Sequence, residues 1–211
     1  MADRSRVVKG HLVYAAFYDL IAGLGGRRLR ELRRFAAGGA SGRVLEIGCG
    51  TGANFPFYDW SQVDSLDATE PDPFMLKRAR RKLAGLPEGK VTLHEAPAEA
   101  LPFPDETFDT AVSTLVFCTV DQPALAAAEV KRVLKPGGYL RLVEHVRATG
   151  RSAAFQDFVQ PVYGWFSAGC VLGRNTELTL AAAGFRLRVQ ERPSFGPFVP
   201  GLVALAQRPP A

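Results

Sequence analysis

The sequence is poor in the residues that staple small domains or hold metals. Its three cysteines, Cys49, Cys118 and Cys170, lie far apart with no C-x-x-C pair. An odd, unspaced set excludes a disulfide framework and points to a reducing compartment. The available imidazoles are His11, His94 and His145; no zinc-type spacing links them to the cysteines, and no metal is expected. Long apolar runs are also missing. Leu12–Leu24 is about 13 residues long and contains Asp19, against roughly 20 residues needed to span a bilayer. It follows the polar Ala2–Arg6 and has no cleavage-like end, so no signal peptide is expected. Internal repeats and low-complexity blocks are not seen. The expected location is cytoplasmic.

What is present is ordinary for one globular domain: 211 residues, 47% of them apolar and 10% aromatic. A chain of this size buries roughly 70% of its unfolded surface. The formal charge of +5 is unevenly spread. Residues 1–43 hold nine basic and three acidic groups, which leaves 17 basic against 18 acidic in the remainder. The run Arg27–Arg34 reads as a solvated helix face. Nucleic-acid binding would want aromatics interleaved with the basic residues, and only Phe35 lies beside this run, so no nucleic-acid partner is expected. The basic segment would touch an anionic membrane surface or an anionic acceptor, or serve only solubility.

From Arg43 onward strand and helix alternate. Strands are expected at Arg43–Ile47, Val63–Thr69, Lys90–Glu95, Phe108–Leu115 and Tyr139–His145. Asp72 with Pro73 opens a helix running to about Ala84, with Met75, Leu76, Ala79 and Leu83 on one face. Asp121 is expected to cap a helix running from Pro123 to Leu134, stopped by Lys135-Pro136-Gly137-Gly138. A helical stretch falls within Ser152–Ser167, and Thr176–Ala183 is a helix closed by Gly184. Phe185–Glu191 and Leu202–Gln207 are joined by a Pro/Gly-rich loop without a helix, so they form an antiparallel hairpin at the sheet edge. The fold class is α/β: a doubly wound, Rossmann-like, seven-stranded sheet. Residues 1–42 form an N-terminal helical segment outside it, and residues 43–211 form the body.

The sharpest motif is Glu46-Ile47-Gly48-Cys49-Gly50-Thr51-Gly52-Ala53-Asn54, at the end of the first strand. Ligands of open α/β sheets bind at such strand ends. Gly48-x-Gly50-x-x-Ala53 also fits the dinucleotide fingerprint. A pyrophosphate would be repelled by Glu46, however, whereas a cationic ligand would be attracted. Glu46-x-Gly48-x-Gly50-x-Gly52 resembles the first motif of class I S-adenosylmethionine-dependent methyltransferases. The likeness continues through Asp67-Ala68-Thr69-Glu70-Pro71-Asp72, Ala98-Glu99-Ala100-Leu101-Pro102-Phe103, Asp105-x-x-Phe108-Asp109 and Arg132-Val133-Leu134-Lys135-Pro136-Gly137-Gly138. In that family the acid at the second strand end holds both ribose hydroxyls. Glu70 matches it, with Asp67 the alternative if the strand ends earlier. Many quinone-type relatives carry an Asp where this chain has Pro97; adenine recognition would then fall to the backbone near Ala98 or to the Glu99 side chain. The resemblance implies a cofactor site of Glu46, Gly48, Cys49, Gly50, Thr51, Gly52, Asn54, Glu70, Pro71, Met75, Ala98, Glu99, Thr114 and Leu115.

Finer features are similar to methyltransferase-like proteins that methylate small alkyl thiols: Gly52-Ala53-Asn54-Phe55, Leu115-Val116-Phe117-Cys118-Thr119-Val120, Glu144-His145-Val146 and Gly169-Cys170. Phosphatidylethanolamine and quinone methyltransferases are similar over the first half. The resemblance implies methyl transfer to a small or amphipathic acceptor, with a thiol leading; the alternatives are a lipid-like or quinone acceptor at the membrane surface, or a protein that binds the cofactor without methylating. His145 is the candidate base, because imidazole titrates near neutrality, and a structural histidine is the alternative. Glu144 would orient it or meet the acceptor. Adjacent strand residues point to opposite faces, so both act only if the strand has ended there. Tyr14 and Tyr18 lie on an amphipathic segment that either closes over the cofactor as a lid or packs. Cys118 and Cys170 read as core residues.

Overall fold

The computed structural model describes residues 26–167 and 169–211. Tyr14 and Tyr18, with most of the N-terminal segment, lie outside them. The first described helix, α1, covers Gly26–Gly38. Strand β1 (Gly42–Ile47) follows, then β2 (Val63–Thr69), helix α2 (Pro73–Lys82) and β3 (Val91–His94). The second half runs through β4 (Phe108–Thr114), α3 (Pro123–Val133) and β5 (Leu134–His145). It ends with α4 (Gly150–Phe166), α5 (Thr176–Ala182), β6 (Arg186–Glu191) and β7 (Gly201–Gln207). No helix among the described residues is long and apolar enough to cross a membrane.

The seven strands form one sheet in the order β3-β2-β1-β4-β5-β7-β6. The pairs from β3 across to β5 are parallel. β7 runs antiparallel between β5 and β6, which makes the expected C-terminal hairpin. Strand alternation builds two apolar layers, one on each face. Leu45, Ala111, Leu142 and Leu202 face one side, where Ala126 and Val130 of α3 and Leu180 of α5 cover them. Their neighbours Val44, Val112, Val143 and Val203 face the other, under Leu32 and Ala36 of α1 and Leu76 and Ala79 of α2. The strand order reverses at β1 and β4, so the cleft outside their carboxyl ends is the topological switch point. The glycine motif stands there.

Local chemistry explains most boundaries. Asp72 caps α2 as its spacing predicts, its side chain accepting from the backbone N–H groups of Phe74 and Met75. The helix is shorter than expected, ending at Lys82 with a further 3₁₀ turn over Leu83–Gly85. Two expectations need correction. Asp121 does not cap α3: Gln122 occupies the cap position, and its N–H is met by Glu99 from the preceding loop. β5 begins at Leu134 rather than Tyr139. Leu134 pairs with Phe108, the register shifts, and Tyr139 then pairs with Thr110. The residues Lys135–Gly138 stop the helix, but they belong to the strand that follows. A Cβ on Gly138 would lie 2.9 Å from the Lys135 carbonyl and 3.0 Å from that of Asp109, so this irregular start admits only glycine.

Candidate functional site

Glu46 is a carboxylate within an otherwise apolar strand, and it is 1% exposed. The burial is sustained by donors supplied from the following turn. Asn54 donates through Nδ2 to Oε1 at 3.0 Å, and the Tyr58 hydroxyl donates to Oε2 at 2.8 Å. Burial pushes its pKa up to about 7, against the pull of these two donors and of Arg33. Asn54 is the hub. Its Nδ2 also donates to Thr114 Oγ1 at 3.1 Å, and its Oδ1 accepts from Arg33 of α1 at 2.8 Å. The end of β1, the end of β4 and helix α1 are thereby joined under the glycine turn. Arg33 and Tyr58 escaped the sequence reading because neither belongs to a spaced motif.

The turn itself takes left-handed backbone at Gly48 (φ 56°) and Gly50 (φ 57°), a conformation that L side chains avoid. Its Gly50 N–H points to the next strand end, where Glu70 Oε2 accepts it at 2.9 Å. Glu70 Oε1 accepts the Asp72 N–H at 2.9 Å. Each carboxylate oxygen has two acceptor positions, so Glu70 retains capacity for further donors. Burial pushes its pKa up to about 7 as well. Thr51 is fully buried, with its hydroxyl 3.5 Å from Lys82 Nζ. Met75 is buried and Pro71 half-buried beside them. The Cys49 thiol is buried and held well above its ordinary pKa, which fits a small apolar spacer rather than a nucleophile.

The loop after β3 carries Ala98, which is buried, and Glu99, which is half-buried. Arg132 clamps this loop by donating to the Leu101 and Phe103 carbonyls at 3.1 and 2.8 Å, while Glu129 accepts the Leu101 N–H at 2.9 Å. One oxygen of Glu99 is committed to Gln122 N, 3.2 Å away. Thr114 and Leu115 end β4, and Leu115 has φ 59°. A branched-chain residue in that region is strained and turns the chain sharply.

Glu144 and His145 end β5 and point apart. Glu144 is fully buried, and its Oε1 accepts from Ser113 Oγ at 3.1 Å, Val116 N at 2.7 Å and Phe117 N at 3.0 Å. Burial moves its pKa up to about 6. It therefore organises the loop after β4. His145, 5% exposed, turns instead toward a linker between α4 and α5: its Nε2 lies 2.9 Å from Cys170 Sγ. Burial pulls the imidazole pKa down, but the Cys170 sulfur and the charge of Glu144 outweigh it and leave the pKa raised. Cys170 is lowered to about 5, with Cys118 and His145 favouring the thiolate. His145 is thus engaged rather than facing open solvent.

Cys118, His145 and Cys170 are all buried, and their ligand-type atoms lie within 4.8 Å of one another. Separations of 25 and 52 residues along the chain hide this grouping from spacing arguments. The expectation of no metal rested on spacing along the chain, whereas the fold gathers two of the three cysteines with a histidine.

A family model described as "Methyltransferase domain" matches residues 45–142. The chain is 40% identical over 164 residues to thiol S-methyltransferase TMT1B of Homo sapiens, covering 73% of this chain and 65% of that protein. It is 35% identical over 159 residues to phosphatidylethanolamine N-methyltransferase of Cereibacter sphaeroides, covering 72% of this chain and 76% of that one. The chain spans 59–65% of the length of the human, rat and mouse thiol S-methyltransferases of this kind. A solved S-adenosylmethionine-dependent methyltransferase from Mesorhizobium loti superposes with a TM-score of 0.64 at 22% identity, covering 87% of this chain and 99% of that one.

Proposed function

Since the chain belongs to the class I S-adenosylmethionine-dependent methyltransferases, we propose that it transfers the cofactor's methyl group to a small thiol. The residues present suit that cofactor. The glycine turn offers a backbone surface without side chains, and two buried carboxylates near it, Glu46 and Glu70, favour a cationic ligand. Glu70 would hold the ribose hydroxyls with its remaining lone pairs. The turn from Gly48 to Gly52 would hold the amino-acid part, and Ala98 with Glu99 the adenine side. When bound, the cofactor supplies an activated methyl on a sulfonium.

The chain's own task is then alignment and exclusion of water. Glu144 fixes the loop after β4, whose Val116 stands over the glycine turn. A thiol has a pKa near 8.5 and is partly ionised at neutral pH, so it asks less of a base than an amine or a phenol does. The single observation that carries the acceptor class is the 40% identity to a thiol S-methyltransferase. A lipid-like acceptor is the second reading, favoured by the likeness to the Cereibacter sphaeroides protein and by the basic residues 1–43. On either reading the partner is a small or lipid-like molecule, and location in the cytoplasm with peripheral membrane contact is part of the proposal.

Incubating the protein with cofactor and a panel of alkyl thiols, phosphatidylethanolamine vesicles and quinols, with product masses read out, tests it. S-methyl products support the thiol reading. Turnover of another acceptor alone overturns it, and calorimetric cofactor binding without any turnover would leave a binding protein.

A further inference from the structure

The side chains of Cys118, His145 and Cys170 form a group to which the cofactor site gives no role. Each is tied into position by backbone bonds around it. The Val171 N–H donates to the Cys118 carbonyl at 2.8 Å, so the two cysteine segments run side by side. Gln160 of α4 grips the same linker twice, donating to the Cys170 carbonyl at 2.9 Å and accepting the Leu172 N–H at 2.8 Å. Arg147 N, two residues past His145, donates to the Arg174 carbonyl at 2.9 Å and sews the linker to the end of β5. The residues are 2%, 5% and 6% exposed. Two thiols and an imidazole this close together in a dry place are a donor set of the kind that holds a metal ion.

We propose that Cys118, Cys170 and His145 form a site for one thiophilic divalent cation, zinc, with the fourth coordination position open toward the acceptor. Two sulfurs and one nitrogen suit zinc in tetrahedral geometry, and three protein ligands plus one open position is the pattern of reactive rather than structural zinc. Tetrahedral bonds of about 2.3 Å to sulfur and 2.0 Å to nitrogen place neighbouring ligand atoms about 3.5–3.8 Å apart. The His145–Cys170 contact at 2.9 Å would have to open by about half an ångström to reach that spacing. The most distant pair, at no more than 4.8 Å, would close by about one. Both are rotamer-scale adjustments.

The place of the site gives the ion its use. Cys118 is two residues beyond Val116, which covers Gly48 of the glycine turn. The Tyr163 hydroxyl also bonds the Cys170 sulfur, so it would give way when a ligand from the acceptor side of this loop takes the open position. An acceptor thiol that coordinates zinc is deprotonated outright. Two protons leave the cluster when the ion binds, one from Cys118 and one that Cys170 and His145 hold between them, a third leaves the acceptor, and all go to solvent. The acceptor sulfur then forms its bond to the methyl group as the sulfonium–methyl bond breaks, and that electron pair stays on the former sulfonium sulfur. This use of the open position rests on the thiol reading above; binding of the ion does not.

The test is cobalt substitution of the full-length protein, kept reduced with a phosphine and stripped with a chelator. One equivalent of cobalt should give the strong visible bands of four-coordinate cobalt and a thiolate-to-cobalt charge-transfer band, both abolished by zinc. Cys118→Ser and Cys170→Ser should each weaken cobalt binding by more than tenfold, and Cys49→Ser should keep the spectrum. Should a serine variant fail to fold, alkylation of the wild-type chain decides instead: zinc should protect Cys118 and Cys170, but not Cys49, from a thiol-alkylating reagent. No stoichiometric cobalt or zinc binding, or equal alkylation with and without zinc, overturns the site. Adding 2-mercaptoethanol should shift the charge-transfer band. A fixed band in a protein that still S-methylates thiols overturns the open position and leaves the thiol activity standing. A shifted band in a protein that methylates only another acceptor overturns the thiol reading and supports the metal site.

Discussion

Val116 stands over Gly48 so closely that a Cβ on the glycine would lie 2.8 Å from both of its γ-methyl carbons. The pair couples the cofactor turn to the loop that carries Cys118, and the glycine also needs φ 56°. Gly48→Ala adds overpacking to backbone strain. It should cost about 2–4 kcal/mol of stability and weaken cofactor binding by more than about tenfold. Gly85→Ala, where nothing lies within 4 Å, should be near neutral. Thermal unfolding and calorimetry check both, and wild-type cofactor affinity in Gly48→Ala would mean that the two loops move independently.

Glu70 serves two strand ends at once, accepting Gly50 N on one oxygen and Asp72 N on the other. Glutamine keeps one acceptor and turns an N–H group toward another N–H. Glu70→Gln should therefore weaken cofactor binding by at least about tenfold at pH 7.5, with acceptor KM changing far less. An unchanged cofactor Kd would move the ribose site elsewhere.

Burial holds Glu46 and Glu70 near pKa 7, above their ordinary value of 4.5. Between those limits the folded chain keeps protons that the unfolded chain has lost, so each acid lowers stability as pH rises from about 4.5 to about 7. Urea unfolding of wild type against Glu46→Gln isolates one of them. From pH 5 to pH 8 the balance should shift toward the glutamine variant by about 1–2 kcal/mol. A flat difference would show that Glu46 is ionised throughout. A cationic cofactor should reverse the preference: its binding should release protons and strengthen by about tenfold from pH 5.5 to pH 8. Calorimetry in two buffers of different ionisation enthalpy reads that release directly.

Glu144 Oε1 gathers three donors, two of them the backbone N–H groups of Val116 and Phe117. Glu144→Ala leaves these donors buried and unmet, at a cost of about 2–4 kcal/mol. Glu144→Gln retains a carbonyl oxygen and should recover most of that stability. If the carboxylate only positions the loop, glutamine should also restore kcat, with acceptor KM the more sensitive parameter. Restored stability with kcat still lost would instead place Glu144 against the reacting groups.

Much of the site was legible in the sequence because it is local. The glycine turn follows directly from Glu46, the Asp72 cap needs only Phe74 and Met75, and Glu70 lies directly after a strand whose expected bounds, Val63–Thr69, match those observed. What escaped is non-local. Asp121 resembles a cap, but Glu99, 23 residues earlier, fills that role for Gln122. Pro136 and the glycines after it read as a stop, yet pairing of Leu134 with Phe108 draws them into β5. Cys118, His145 and Cys170 belong to three separate stretches, and only the meeting of the β4 loop, the β5 end and the linker after α4 brings them together. The partners of Glu46 are similar: Tyr58 and the Asn54–Arg33 link come from tertiary contact rather than from a motif.

Arg33 gives the basic N-terminal region a different meaning at one position. It is 6% exposed, although its neighbours Arg30 and Arg34 face solvent. Its charge is accommodated indoors by Asn54, the residue that also steadies Glu46 and Thr114. The exposed arginines of α1 make surface contacts instead, Arg27 and Arg28 with Glu31 and Arg34 with the Phe57 ring. Position 33 is tied to a floor shared by the cofactor turn, so a lineage that altered it would have to redesign Asn54 and Glu46 in the same step.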